Sequence, residues 1–254
     1  MKIATWNVNS VRQRLGHVKD WLVAYQPDVL ALQEIKVITE GFPAAEFEAL
    51  GYHAAVDGQK AYNGVALLSR TPAGAVQPGM PNFADEQKRV LAGSYSDVRV
   101  FDLYVPNGQS VGSEKYEYKL RWLTALHDHL RAELQQHPRM VVVGDFNIAP
   151  DDRDVHDPEA WRGQVLCSDA EREKLAALMS LGFVDVFRRF EQPEHAFSWW
   201  DYRAAGFRRN HGLRIDLILA SPAMAAACTG TAIDTEPRRL EQPSDHAPVW
   251  ATFS

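Results

Sequence analysis

The chain has 254 residues, 46% hydrophobic and 24% charged, and its 27 basic and 33 acidic side chains leave a net charge of −6. These values suit one large α/β domain or two small ones and exclude collagen-like, coiled-coil and disordered chains. The negative total argues against binding nucleic acid by bulk charge, but not against a local basic face. No apolar run approaches the roughly 20 residues that cross a bilayer. The opening MKIATWNV enters strand-like sequence without a charged leader and apolar core, so no secretory signal is expected. Cys167 and Cys228 lie outside any CxxC spacing; they read as small buried hydrophobes and fit a reducing cytoplasm.

In chain order, IATWNV (3–8) reads as a strand that stops at Asn9-Ser10, a favourable helix N-cap pair. Val11, Leu15, Val18, Leu22 and Tyr25 then recur at steps of four and three, which predicts one apolar helix face ended by Pro27. VLALQE (29–34), GVALLS (64–69), RVFDLYV (99–105) and MVVVGD (140–145) read as buried strands. Leu123, Leu126, Leu130 and Leu134 mark a helix between the last two, with His127 and His129 on its solvated side. Ser168 and Glu171 predict a capping box for a helix reaching Gly182, a C-cap residue. RIDLILA (214–220) and APVWATF (247–253) close the set. No Pro/Gly/Ser linker divides the chain, so a single domain over 1–254 is expected. TWNVN (5–9) and GDFNI (144–148) both place Asn at a strand end, with GVALLS and DLILAS following at comparable distances. That echo suits a duplicated two-sheet α/β sandwich.

Polar residues gather where apolar strands stop: Asn7, Glu34, Asp145, Asn147, Asp216 and the pair Asp245-His246. Carboxylates in apolar surroundings are costly unless paired or bound to a cation, and converging strand ends are where α/β proteins build sites. Glu34, Asp145, Asp245, Asn7 and Asn147 offer oxygen ligands, which select Mg²⁺ or Mn²⁺ over Zn²⁺. Asp216 and His246 suit a carboxylate–imidazole pair that favours a cationic ring beside a phosphate oxygen.

The segments TWNVNSVR (5–12), PDVLALQE (27–34), NGVALLSR (63–70), GDFNIAP (144–150), FSWWDYR (197–203), GLRIDLILAS (212–221) and PSDHAPVWATF (243–253) span nearly the whole chain. In this order the chain resembles the exonuclease III family of the DNase I-like endonuclease/exonuclease/phosphatase superfamily. The resemblance implies a four-layer α/β sandwich, two β-sheets face to face with helices outside. It also implies a metal-dependent DNA repair nuclease; a monomer is the default expectation, and the cysteine usage fits a cytoplasmic location. The family cuts duplex DNA at abasic sites, acts as a 3′→5′ exonuclease, and removes 3′-blocking groups, often 3′-phosphates. By motif match, Glu34 is the principal metal ligand with Asn7 and Asp245 beside it, and His246 is a further candidate. Asp145 and Asn147 hold or activate the attacking water and are candidates for a second metal mode. Asp216 orients His246 on the scissile phosphate. Either Asp145 or Tyr104 is the base, and Asn107 falls where the family places a polar residue on the phosphate.

For DNA contact, Trp199 matches a family aromatic lining the pocket for an extruded nucleotide, needed because a target inside a duplex cannot reach the metal. Of Trp199 and Trp200, one is expected in the core and one at the surface. Arg203, Arg208, Arg209, His211 and Arg214, with Arg12 and Arg14 near Asn7, are candidates for phosphate contacts. Loops 106–122 and 151–168 match no usable motif, which leaves the balance among activities open. Rival readings are a superfamily phosphatase for inositol phosphates or sphingomyelin, and a regulator of the same fold that has lost its site.

Overall fold

The computed structural model describes residues 1–254. Its first half contains β1 (Lys2–Asn7), α1 (Leu15–Tyr25), β2 (Val29–Gln33), α2 (Ala44–Glu48), β3 (His53–Asp57), β4 (Val65–Ser69), β5 (Gly74–Pro78), β6 (Val90–Tyr95), β7 (Val98–Tyr104) and α3 (Glu114–Gln136). The second half adds β8 (Met140–Asp145), α4 (Pro158–Trp161), α5 (Asp169–Ser180), β9 (Val184–Asp185), β10 (Trp199–Trp200), α6 (Gly206–Arg209), β11 (Gly212–Leu213), β12 (Asp216–Ala220), α7 (Pro222–Ala227), β13 (Cys228–Ile233) and β14 (Val249–Phe253).

Two six-stranded sheets result, ordered β13-β14-β1-β2-β4-β3 and β5-β6-β7-β8-β12-β9. Each has one parallel pair, β1/β2 in the first and β7/β8 in the second. All other neighbours are antiparallel. The direction pattern is therefore the same in both sheets, with β1 in the place of β8. The repeated Asn-bearing strand end of the sequence corresponds to this match. The second half of the echo does not hold: GVALLS forms β4, beyond β2, whereas DLILAS enters β12, directly beside β8.

β2, β4, β8 and β12 are buried along their whole length, which explains their uninterrupted apolar sequences. The side-chain period of two splits each strand between layers. Val141 and Val143 join Ile3, Ala31, Leu67, Val100 and Ile218 between the sheets. Val142 joins Phe101, Trp122, Leu126, Leu130 and Leu178 beneath α3 and α5. On the opposite outer face Trp6, Leu30 and Leu32 meet Val18, Leu22 and Phe47 of α1 and α2. Each such side chain contributes roughly 1.5–3 kcal/mol by leaving water. A polar bridge crosses the inner layer: Gln33 Nε2 donates to Thr5 Oγ1 at 2.9 Å and to Asp102 Oδ1 at 2.7 Å. Burial pushes the Asp102 carboxyl well above the usual range, against the hydrogen bond from Gln33.

Some elements depart from the sequence reading. Helix α1 starts at Leu15 because Asn9 and Ser10 take left-handed backbone, φ 44° and 92°, and leave no cap for a helix at Val11. His129 is buried, its ring edge-on to Phe101 at 5.6 Å, and so is not on the solvated side of α3. The capping box on α5 forms as read: Ser168 Oγ accepts from Glu171 N, and the Glu171 carboxylate accepts from Ser168 N.

Candidate active site

The parallel pairs bring the C-terminal ends of β1, β2, β7 and β8 to one rim, and antiparallel β12 and β14 begin there. Tyr104 and Asp216 both stand in register with Asp145. Glu34 follows β2 in left-handed backbone, φ 50°, and turns out of the ladder. Asn7 Nδ2 donates to Glu34 Oε1 at 2.8 Å and to Asp145 Oδ2 at 2.9 Å, joining the two sheets. Asn147 folds back on Asp145, donating its backbone N–H to Oδ1 at 2.9 Å and its Nδ2 to Oδ2 at 3.3 Å. Asn107 Nδ2 donates to Asn147 Oδ1 at 3.2 Å. The His246 ring reaches Asp216 Oδ2 at 2.8 Å through Nδ1 and faces Asp145 Oδ2 at 3.7 Å through Nε2.

Charge in this pocket is tightly interdependent. Burial pushes Asp145 well above the usual carboxylate range; the His246 cation and the Asn7 amide oppose it, while Asp216 and Glu34 reinforce it. Burial alone would pull His246 down, but the Asp216 and Asp145 carboxylates outweigh it and keep the imidazole protonated through neutral pH. Tyr104 is also raised well above its ordinary value, by burial and then by Glu34 and Asp145, against Arg89. It stays a phenol at neutral pH, with the Arg89 guanidinium 4.6 Å from its ring centre.

Glu34, Asp145 and His246 each bring a ligand atom within 4.8 Å of the others. By distance His246 is a candidate ligand beside Glu34 and Asp145; protonated, as its two carboxylate neighbours favour, it presents a cation to the site instead. The buried Asp145 and half-buried Glu34 carboxylates, joined through Asn7 Nδ2, form an acidic donor set that fits a hard cation. Asp245 lies outside that group. Trp199 Nε1 donates to its Oδ2 at 3.0 Å and Asn9 Nδ2 to its Oδ1 at 3.1 Å.

Trp200 is in the core, 1% exposed and packed on Phe197, whereas Trp199 is half-buried beside Trp161 near the site and not at the surface. Arg203 lies on an exposed turn, paired with Asp201 at 2.7 Å. Arg214 corrects the sequence reading. It is 1% exposed and binds Asp154 at 2.7 Å and Asp185 at 2.6 Å, so it cannot reach a phosphate without abandoning both. Arg14 is likewise buried, bonded to the carbonyls of Gln242 and Pro243 at 3.1 Å. Removing one partner from a buried ion network costs about 3–5 kcal/mol. Arg214→Met is therefore expected to lower the melting temperature by roughly 6–20 °C at 2–4 °C per kcal/mol. The KM for DNA should stay unchanged where the variant is folded; a KM rise without a melting shift would restore Arg214 to the DNA interface.

Four residues escaped the sequence reading. Lys36 Nζ sits 3.1 Å from Glu34 Oε2 and 2.5 Å from Asn9 Oδ1. Its signal was a lone cation two residues beyond Glu34 in an otherwise apolar run. Asn9, a helix N-cap by its sequence position, instead donates to Asp245 Oδ1. Ser198 Oγ accepts from the backbone N–H of Ile215 and Asp216, and Ser244 Oγ donates to Asn7 O and accepts from His246 N. Nothing in local sequence marks these two serines.

Residues 4–246 match the Endonuclease/Exonuclease/phosphatase family. The exodeoxyribonuclease III of Haemophilus influenzae is 37% identical, with 100% of both chains covered. A 3′-phosphatase, NExo from Neisseria, solved bound to a product DNA hairpin, superimposes with a TM-score of 0.98 at 46% identity, covering 100% of this chain and 99% of that one. An AP endonuclease from Archaeoglobus fulgidus gives 0.96 at 38% identity, with 100% and 99% covered. With a strand-end constellation of this kind and likeness over its full length, the chain belongs to the endonuclease/exonuclease/phosphatase family, on its exodeoxyribonuclease III branch.

Proposed function

We propose that this chain is a DNA repair nuclease that uses Mg²⁺ or Mn²⁺ to hydrolyse phosphodiesters at abasic sites and DNA 3′ ends, as a cytoplasmic monomer. The observation carrying this reading is the placement of Asp145 between the Asn7–Glu34 pair and the His246–Asp216 pair. A proton acceptor, an acidic cation site and a fixed positive charge thus face one point. These are the parts that phosphodiester hydrolysis requires.

Asp145 takes the proton from the attacking water, with Asn147 holding the carboxylate by two hydrogen bonds. Tyr104, kept as a phenol, serves as a donor, which favours Asp145 as the base. His246, protonated and oriented by Asp216, stands against the scissile phosphate. Glu34 and Asp145, with Asn7 and Asn147 beside them, would hold the divalent ion, which supplies Lewis-acid charge to the phosphate when bound. Asp245, gripped by Trp199 and Asn9, shapes the rim next to them. Tyr62, Arg89, Asn107, Lys115 and Tyr118 line an open groove next to Tyr104. This groove supplies the local cations and aromatic surface that the net charge conceals.

The test is a ranked rate measurement on abasic, 3′-phosphate and plain recessed 3′-end duplexes with Mg²⁺, with and without EDTA. Turnover of at least one duplex, abolished by EDTA, is expected. Turnover of inositol phosphates or sphingomyelin with inert DNA would overturn the proposal.

Two expectations follow from the geometry. Because Asp216 acts through His246, Asp216→Asn should slow turnover about 10–30-fold, roughly 1.4–2 kcal/mol. Added to His246→Ala it should cost little more, as linked groups behave as one unit; multiplicative losses in the double variant would break the pairing. Trp199 combines a ring wall with an N–H that holds Asp245, so two variants separate its parts. Trp199→Ala should lose ~10-fold or more on abasic or 3′-end DNA, since base–aromatic contacts are worth about 1–3 kcal/mol. Trp199→Phe keeps the wall and should recover most of that loss. A fall in melting temperature with parallel loss on a small activated phosphodiester would return Trp199 to the core.

A further inference from the structure

Where α3 packs against α5, one lysine and one glutamate have no exposed side-chain surface. Lys119 of α3 and Glu171 of α5 pair at 2.5 Å. Lys119 Nζ also donates to the backbone carbonyl of Asn147 at 2.6 Å and to that of Asn107 at 3.1 Å. The three donors of the ammonium thus have three acceptors. On the other side, the same asparagines are joined by Asn107 Nδ2 and Asn147 Oδ1 at 3.2 Å. One buried cation therefore grips the main chains of two residues whose side chains grip each other.

This arrangement does more than fasten two helices. Replacing a buried ion pair by apolar residues of similar volume is often neutral for stability, so the pair is a weak source of stability. Asn147 holds left-handed backbone, φ 49°, a conformation asparagine adopts more readily than most residues, and here every polar group of that residue is tied down. Its carbonyl is bound by Lys119, and its N–H and side chain are bound to Asp145. Glu171 carries the connection outward: Oε1 accepts from Leu166 N at 3.1 Å, and Oε2 accepts from Ser168 Oγ at 2.6 Å. The pair thus joins the asparagines to the end of the loop that covers 151–168.

We propose that Lys119, held by Glu171, is a positioning residue for the reaction: it sets the main chains of Asn107 and Asn147 and, through Asn147, the direction of the Asp145 carboxylate. This rests on Asp145 and Asn147 belonging to the catalytic site.

The experiment compares wild type, Lys119→Met/Glu171→Met, Asn147→Ala and the triple variant on a 3′-phosphate duplex at saturating Mg²⁺, with melting temperatures alongside. The apolar double variant avoids leaving a buried charge alone. Its kcat should fall at least tenfold, with KM within threefold and melting within a few degrees of wild type. The triple variant should be no more than threefold slower than Asn147→Ala, because Lys119 acts through the residue already truncated. A merely structural loss would instead multiply with the Asn147→Ala loss, and that result overturns the proposal. A double variant with wild-type kcat beside an impaired Asn147→Ala overturns it while leaving the site intact. An unimpaired Asn147→Ala removes the site reading and this proposal with it. Should the double variant not fold, Lys119→Gln, which keeps a donor without the charge, is read by the same split; a wild-type kcat there overturns the proposal.

Discussion

Asp145→Asn is expected to lower single-turnover cleavage about 10³-fold or more, some 4 kcal/mol of barrier, while DNA affinity changes only a few-fold. The amide preserves the shape and can still accept the Asn147 N–H that Asp145 Oδ1 now takes at 2.9 Å. It cannot accept a proton from water. An acid whose pKa is raised on folding makes the folded state less stable above its ordinary pKa, because its charge is harder to hold there. Asp145 is such a group, raised by burial and by Asp216 and Glu34. In Asp145→Asn the relief of that burden is opposed by the loss of the Oδ2 acceptor for Asn7 Nδ2 and of a partner for the His246 cation, so without added metal the variant should melt within a few degrees of wild type at neutral pH. Rapid-quench rates, fluorescence anisotropy and thermal melting decide the matter. Parallel loss of binding and turnover would make Asp145 a structural anchor instead of the base.

Glu34→Gln is expected to cost about 10²-fold at low millimolar Mg²⁺, roughly 2.7 kcal/mol, with part of the loss recovered by excess Mn²⁺. Glutamine keeps an acceptor for Asn7 Nδ2 but gives up the charge that offsets Lys36, 3.1 Å away. The acidic donor set then loses one of its two central carboxylates. The measurement is the Mg²⁺ concentration for half-maximal rate, which should rise in Glu34→Gln. Wild-type rates and metal dependence on every duplex would remove Glu34 as the anchor.

The parts of this molecule legible in its sequence were those specified by local pattern. β8 matches MVVVGD to the residue because both its faces are covered and its apolar run has no interruption. The α5 capping box was visible because both partners lie within one turn. Strands such as β5, GAVQP, were missed: most of it is exposed and its pairing comes from β6, not from its own pattern. At the site, residue types at strand ends marked the acidic centre. The roles of Asn9 and Arg214 depended on partners far away in the chain. Asn9 lies 27 residues from Lys36, and Arg214 lies 60 from Asp154. No local spacing reveals whether an arginine faces phosphate or two buried carboxylates.

Each sheet contributes half of the chemistry. Asn7, Glu34 and His246 flank strands of one, and Tyr104, Asp145 and Asp216 belong to the other. The Asn7–Asp145 and His246–Asp216 bonds therefore span the seam, as does the Gln33–Asp102 bond deeper inside. The rim behaves as a vernier between two rigid plates: a slip of a few tenths of an ångström leaves every strand ladder intact yet pulls the base away from its cation. On the proposed roles, catalysis is expected to be the property most sensitive to shear between the sheets, lost before either sheet unfolds. The buried carboxyl of Asp102, accepting from Gln33 across the gap, is a peg between the plates set apart from the reacting groups.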